Sequence, residues 1–264
     1  MLKHHEDSLK IMCDYFREQP GVIALIFHGS VAKGKERPDS DLDAIVILTD
    51  EQWEKQRAEH RLAEAITGKC TYPEGYFDVK YKTVNDLIAV AERGSEPTQA
   101  TYIGSRVMFS DDPRVPELVE KIAVFDRDAR EKKMLTFYSN MLFNKSYFMS
   151  CLREDDCYMK YHVISELIYS VYRMILQENE VLFSCNRRLE QQVADCPNKP
   201  ENIIDMARAM TENFSQESVN AFCDCYMNWT KYPHCTDWGV IHTHYVDMYE
   251  EWWKLGGAKF INEW

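Results

Sequence analysis

Apolar residues Leu9, Met12, Cys13 and Phe16 recur at i, i+3, i+4 and i+7, the spacing that lines one face of a helix. Pro20-Gly21 stops that helix. From Val22 to Phe27 every residue is apolar, and β-formers dominate. A short unbroken run bounded by turn residues predicts a strand buried on both faces. The pattern then becomes polar and turn-rich through Gly29, Ser30, Gly34, Pro38, Asp39 and Ser40. Leu42 and Ala44 to Leu48 predict a second strand, closed by Thr49-Asp50. Glu51 to Ala65 predicts a helix with a charged outer face, and Tyr76 to Tyr81 a third strand. Thr83 is the expected N-cap of the next helix, with Asp86 as its partner in the first turn. Arg106 to Phe109 predicts a last short strand, ended by Asp111-Asp112-Pro113.

Beyond residue 125 strand signals nearly vanish. Ala129 to Cys151, Cys157 to Gln177, Asn202 to Asn213 and Ser218 to Asn228 all carry helical patterns. Trp229, Trp238, Trp252, Trp253 and Trp264 crowd the end of the chain, where packing of a helical domain is their expected role. The order of elements predicts an α+β domain over residues 1–125, followed by an all-α helical-bundle domain over residues 126–264.

Charge and cysteine content narrow the function classes. The net charge of the 264 residues is −12. Proteins that grip nucleic acid usually show a basic face, because phosphate neutralisation dominates that affinity, so the balance points away from long polyanions. It suits a cationic acceptor or plain solubility. The charged start, Met1 to Asp7, is not followed by an apolar core and does not have the form of a signal peptide. No stretch approaches the roughly 20 apolar residues that span a bilayer. Nine irregularly spaced cysteines without a Cys-x-x-Cys pair suggest reduced thiols and a cytoplasmic protein.

The chemistry is concentrated between Phe27 and Asp43. Asp41 and Asp43 lie two apart at the start of a strand, so both carboxylates point to one face. Two anions side by side are unfavourable unless a cation sits between them, and a hard divalent ion such as Mg²⁺ suits carboxylate and phosphate oxygens. Asp78 is a third acid, inside the apolar Tyr76-Phe77-Asp78-Val79 run, where an aspartate is unexpected without a partner. If its strand neighbours that of Asp41, three carboxylates converge and can hold two metals about 4 Å apart. Gly29 ends the first strand at a sharp turn that lets a ligand come close. Ser30 follows, with a backbone N–H and a hydroxyl suited to phosphate. Lys33 and Lys35 are candidate partners of a triphosphate, and Ser40 a candidate for orienting the acidic pair.

These residues resemble the signature of the DNA polymerase β-type nucleotidyltransferase superfamily: an apolar residue, Gly, then Gly or Ser, about ten residues, acid-x-acid, and a third acid in a later strand. Gly29-Ser30, the Asp41/Asp43 pair and Asp78 match those positions over roughly residues 20 to 85. The resemblance implies a mixed β-sheet flanked by helices. It implies that Asp41 and Asp43 bind two Mg²⁺ and the triphosphate of ATP or another nucleoside triphosphate, while Asp78 serves at the acceptor hydroxyl. One departure is that the frequent arginine directly after the Gly-Ser pair is absent; Lys33 is the first basic residue.

Length and domain order are also similar to bacterial aminoglycoside and lincosamide nucleotidyltransferases. That architecture implies a small-molecule hydroxyl acceptor, an aminoglycoside-like antibiotic among them, and a catalytic contribution from an acid of the helical domain. Glu166, alone in an apolar helix pattern, is the candidate; the bland alternative pairs it with Lys160 or Arg173. Nucleotidylation of a protein or RNA, and a catalytically silent nucleotide-binding sensor or antitoxin, are the rival functions. An unrelated Mg²⁺-binding module without triphosphate preference is a third. The Cys223-x-Cys225 and His242-x-His244 pairs lack the spacing of structural zinc sites and are expected to be packing residues, as is His28.

Overall fold

A computed structural model describes residues 1–153 and 155–255 of the chain. The chain divides into two compact units, Met1–Val124 and Phe125–Trp264. The first contains α1 (Lys3–Arg17), β1 (Val22–His28), α2 (Gly29–Ala32), β2 (Leu42–Leu48), α3 (Asp50–Ala58), β3 (Ala63–Thr67), β4 (Tyr76–Lys82), α4 (Val84–Arg93), α5 (Glu96–Thr101), β5 (Arg106–Ser110) and α6 (Arg114–Ile122). The strands form one mixed sheet in the order β3-β4-β2-β1-β5. β2 and β4 run parallel, and every other pair is antiparallel.

The unbroken apolar runs of β1 and β2 occupy the centre because both faces of the sheet are covered. On one face Leu9, Met12 and Phe16 of α1 pack with Leu25, Phe27, Val46 and Phe77. On the other, Ala24, Ile26, Ile45 and Ile47 meet Val84, Leu87 and Val90 of α4 and Val115, Val119 and Ile122 of α6. Alternation along each strand therefore assigns the even residues of β2 to the α1 side and the odd ones to the α4 side. Thr83 caps α4 through a reciprocal capping box with Asp86, as its sequence predicts.

One predicted helix is shorter than expected. The pattern from Glu51 to Ala65 suggests a single helix, but α3 ends at Ala58 and Ala63–Thr67 form β3. The chain reverses at His60, whose φ is 57°. β3 is an edge strand with alternating exposure, and Ala, Glu and Thr fill most of it, so its local composition does not announce a strand. Pairing with β4 through Ala65 opposite Asp78 overrides that weak preference.

The second unit is helical: α7 (Arg130–Phe143), α8 (Met149–Cys151), α9 (Cys157–Glu178), α10 (Leu189–Asp195), α11 (Ile203–Glu212), α12 (Gln216–Trp229) and α13 (Trp238–Tyr245). Val163, Leu167, Val171 and Ile175 of α9 form the spine of its core, meeting Phe137 and Met141 of α7, Met210 of α11 and Phe222 of α12. The helix predicted over Ala129 to Cys151 does run through that stretch, but Asn144–Phe148 are wound as a π-helical turn; a second such turn, Val246–Glu250, follows α13. Trp229 packs against the core as expected. Trp238, Trp252 and Trp253 instead stand exposed, and Trp264 lies outside the described residues.

Phe16 is fully buried between α1 and the sheet. Replacing it by alanine empties a large, closely packed site. Phe16→Ala is expected to lower the stability of the first unit by about 3–5 kcal/mol, read from the urea midpoint of its unfolding transition.

Candidate active site

The acids are assembled by strand register. Asp43 of β2 and Asp78 of β4 are direct partners across the parallel pair. Asp41 precedes β2 by one residue and falls on the same side as Asp43 by alternation. Asp41, Asp43 and Asp78 each offer a carboxylate oxygen, and those atoms all lie within 4.8 Å of one another. All three are partly buried.

Crowding of these carboxylates is felt at Asp43. Asp43 carries the result: burial first, then Asp41 and Asp78, push its pKa up to about 7, against the opposing pull of Lys80 and Lys33. A donor set of clustered, half-buried carboxylate oxygens matches what Mg²⁺ prefers, and a divalent cation would offset both the burial and the repulsion that favour a proton on Asp43. The residues present therefore fit a divalent metal.

Gly29 follows β1, whose last residue, His28, pairs with Asp43 in register. Its φ is +80°, and a Cβ added there would sit 1.7 Å from Asp43 Oδ2. Only glycine makes that turn while leaving Asp43 its place. Gly29 opens the short α2 and Ser30 follows it, with a hydroxyl that makes no hydrogen bond to the described residues. The loop up to Asp41 is held from below: Tyr72 Oη donates to Ser40 O at 2.6 Å, and Arg37 N donates to Ser40 Oγ at 2.9 Å. Ser40 thus fixes the backbone that delivers Asp41. The neighbouring Asp41 carboxylate raises the pKa of the Tyr76 phenol.

The remaining candidates are scattered. Lys33 is exposed, and its ammonium donates to Ala100 O of α5 at 3.3 Å. Lys35 is exposed on the loop. Glu166 belongs to α9 in the second unit, where Asn140 Nδ2 donates to its Oε2 at 2.7 Å. Among the described residues it forms no ion pair with Lys160 or Arg173: Lys160 lies over Tyr161 and Phe214, and Arg173 over Phe137, Tyr169 and Phe183. Sequence reasoning passed over Lys80 and Tyr76, although Asp78-x-Lys80 has the strand spacing that places both side chains on one face. His28 is buried beside Asp43, and burial together with Lys80 and Lys33 lowers its pKa to about 3, so its ring is neutral.

Residues 10–112 match the family described as "Polymerase beta, Nucleotidyltransferase". The first unit therefore carries a domain that matches the polymerase β type of nucleotidyltransferase. Members of this class use a nucleoside triphosphate and divalent metal. None of the curated proteins matches the sequence. Among solved structures, a nucleotidyltransferase-like protein from Exiguobacterium sibiricum 255-15 is similar over 85% of this chain and 73% of its own, with 9% identity and a TM-score of 0.48. The spectinomycin adenyltransferase AAD(9) from Enterococcus faecialis, solved with ATP and spectinomycin, is similar over 91% and 96%, with 13% identity and a TM-score of 0.31.

Gly29→Ala forces either the turn or Asp43 to move, and transfer activity is expected to fall about 100-fold in a steady-state assay while the far-ultraviolet spectrum stays unchanged. Asp43 also sets a pH dependence. Between pH 3.8 and about 7 the folded, metal-free chain keeps a proton on this carboxyl that the unfolded chain has lost. Its contribution to stability therefore declines as pH rises through that window. Thermal unfolding of the metal-free protein against pH should show the decline, and Asp43→Asn should flatten it. Divalent-metal affinity should run the opposite way, weakening as pH falls below about 7, because binding must displace that proton.

Proposed function

We propose that the chain transfers a nucleoside monophosphate, AMP, from ATP to a hydroxyl of a small molecule, an aminoglycoside-like compound, with release of pyrophosphate. The observation that carries the proposal is the meeting of Asp41, Asp43 and Asp78 beside the Gly29 turn. Asp41 and Asp43 would hold Mg²⁺ together with the triphosphate, and Asp78 completes the donor set. Two such ions, when bound, supply the positive charge that offsets negative charge on the transferred group and on the leaving pyrophosphate.

The acceptor oxygen attacks the α-phosphorus in line, forming one P–O bond as the α–β bridging P–O bond breaks. The electron pair of the broken bond leaves with pyrophosphate. The hydroxyl proton passes to Asp78, whose carboxylate faces the same point as Asp43. Gly29 and Ser30 offer backbone N–H groups and a free hydroxyl to the phosphates, with Lys33 and Lys35 as nearby cations. The net charge of −12 favours a small acceptor over a nucleic acid.

Nucleotide-dependent pyrophosphate release, assayed with a panel of aminated and neutral polyols, tests the proposal. Asp41→Asn and Asp43→Asn should each reduce it at least about 100-fold, the scale on which removing an essential electrostatic group acts. Undiminished release in either variant would contradict it.

A further inference from the structure

Of the three acids, Asp41 alone lies outside the strand ladder. Asp43 is paired in register with His28 on one side and Asp78 on the other, whereas β2 begins at Leu42 and Asp41 has no register partner. Its position therefore depends on the loop that ends in it. Arg37, Pro38 and Asp39 are exposed, so apolar packing does not hold that loop; only Ser40 is buried. What holds it comes from two other parts of the chain. Tyr72 Oη donates at 2.6 Å to Ser40 O, the carbonyl of the peptide bond that joins Ser40 to Asp41. His4 Nε2 of α1 donates to Pro38 O at 2.9 Å.

Tyr72 is itself held from several sides. The ring of His4 lies 4.6 Å from it, and that of the fully buried His5 meets it edge-on at 5.0 Å. Behind it stands Gly75, where an added Cβ would come within 2.6 Å of Tyr72 Cε2. Gly75 does not take a positive φ, so what glycine supplies there is room for the ring. The neighbouring Thr71 ties the same loop to α1, its N donating to Ser8 Oγ at 2.9 Å and its Oγ1 to His4 O at 3.0 Å. The loop that enters β4, the strand of Asp78, is thereby fixed to α1, and through Tyr72 it carries the loop that enters β2. One hydroxyl links the approaches to the two parallel strands that bear the acids.

We infer that Tyr72 is a positioning residue for metal binding: its hydroxyl on Ser40 O sets where the Asp41 carboxylate meets those of Asp43 and Asp78. The inference rests on the metal-dependent transfer proposed above. A carboxylate that must be ordered when the ion arrives binds it more weakly than one already in place. Groups that orient a metal ligand without touching the metal are worth about 10–100-fold in affinity for that reason. His4, His5 and Gly75 act on Asp41 through the ring of Tyr72, and Thr71 through the loop that carries it.

Binding of Mn²⁺ to the full chain is measured by calorimetry. Tyr72→Phe keeps the ring against His4, His5 and Gly75 and removes only the hydroxyl. It should weaken Mn²⁺ binding at least about tenfold, with a urea midpoint close to that of the parent protein. Tyr81→Phe is the matched control: it loses the bond from Tyr81 Oη to Glu64 Oε1 at 2.5 Å, elsewhere on β4, and should bind Mn²⁺ as the parent does. In the pyrophosphate-release assay Tyr72→Phe should need more Mn²⁺ to reach half its maximal rate, while saturating Mn²⁺ restores its kcat, because all three carboxylates remain. An unchanged Mn²⁺ affinity in Tyr72→Phe, an equal loss in Tyr81→Phe, or a kcat that saturating Mn²⁺ does not restore overturns the positioning role and leaves the proposed function standing. A parent protein that binds no Mn²⁺ brings down the metal-dependent function, and this role with it.

Discussion

Like charges held together against their repulsion are the constraint around which the first unit is organised. The register of β2 on β4 puts Asp43 opposite Asp78, and alternation adds Asp41 to the same side. No conformational freedom remains to relieve the crowding, because both central strands are clamped between two apolar layers. Burial first, and the neighbouring Asp41 and Asp78 after it, leave a proton on Asp43 up to about pH 7. A fold that spends rigid core on keeping three anions together is built for something positive to arrive between them.

The surrounding details serve that placement. Gly29 is positioned so that nothing larger fits against Asp43. Tyr72 and Ser40 tie down the loop that ends in Asp41, and Thr71 N donates to Ser8 Oγ at 2.9 Å, linking the loop before β4 to α1. Lys80 and Lys33 lie near enough to Asp43 to oppose its protonation, yet neither neutralises it. The second unit follows a different logic. Its α9 spine is apolar along most of its length, and its carboxylates are steadied by neutral donors, Glu166 by the Asn140 amide and Glu178 by the hydroxyls of Tyr226 and Thr230.

Much of this is legible in the sequence, for identifiable reasons. The β1 and β2 runs are apolar on both faces, and only a central position explains that, so their placement could be read from composition alone. Asp78 stood out because an acid inside an apolar strand needs a partner. The Thr83–Asp86 cap announced α4. What escaped notice depends on contacts distant in sequence. β3 is a strand because β4 offers it a ladder, not because Ala63 to Thr67 prefer that state. The turn of Lys33 toward Ala100 and the bond of Tyr72 to Ser40 arise from packing that local pattern does not encode. The exposed Trp238, Trp252 and Trp253 show the limit from the other side, since large rings signal burial on average but not at each position.

The role of the three aspartates is decided by where a divalent ion binds. Crystals soaked with Mn²⁺ and a non-hydrolysable ATP analogue would locate it by anomalous scattering. The expected result is a peak within about 2.2 Å of carboxylate oxygens of Asp41 and Asp43, close to the coordination distance of small hard cations, with Asp78 within reach of the same cluster. A fully occupied ion bound elsewhere, with these three side chains left unliganded beside the nucleotide, would contradict it.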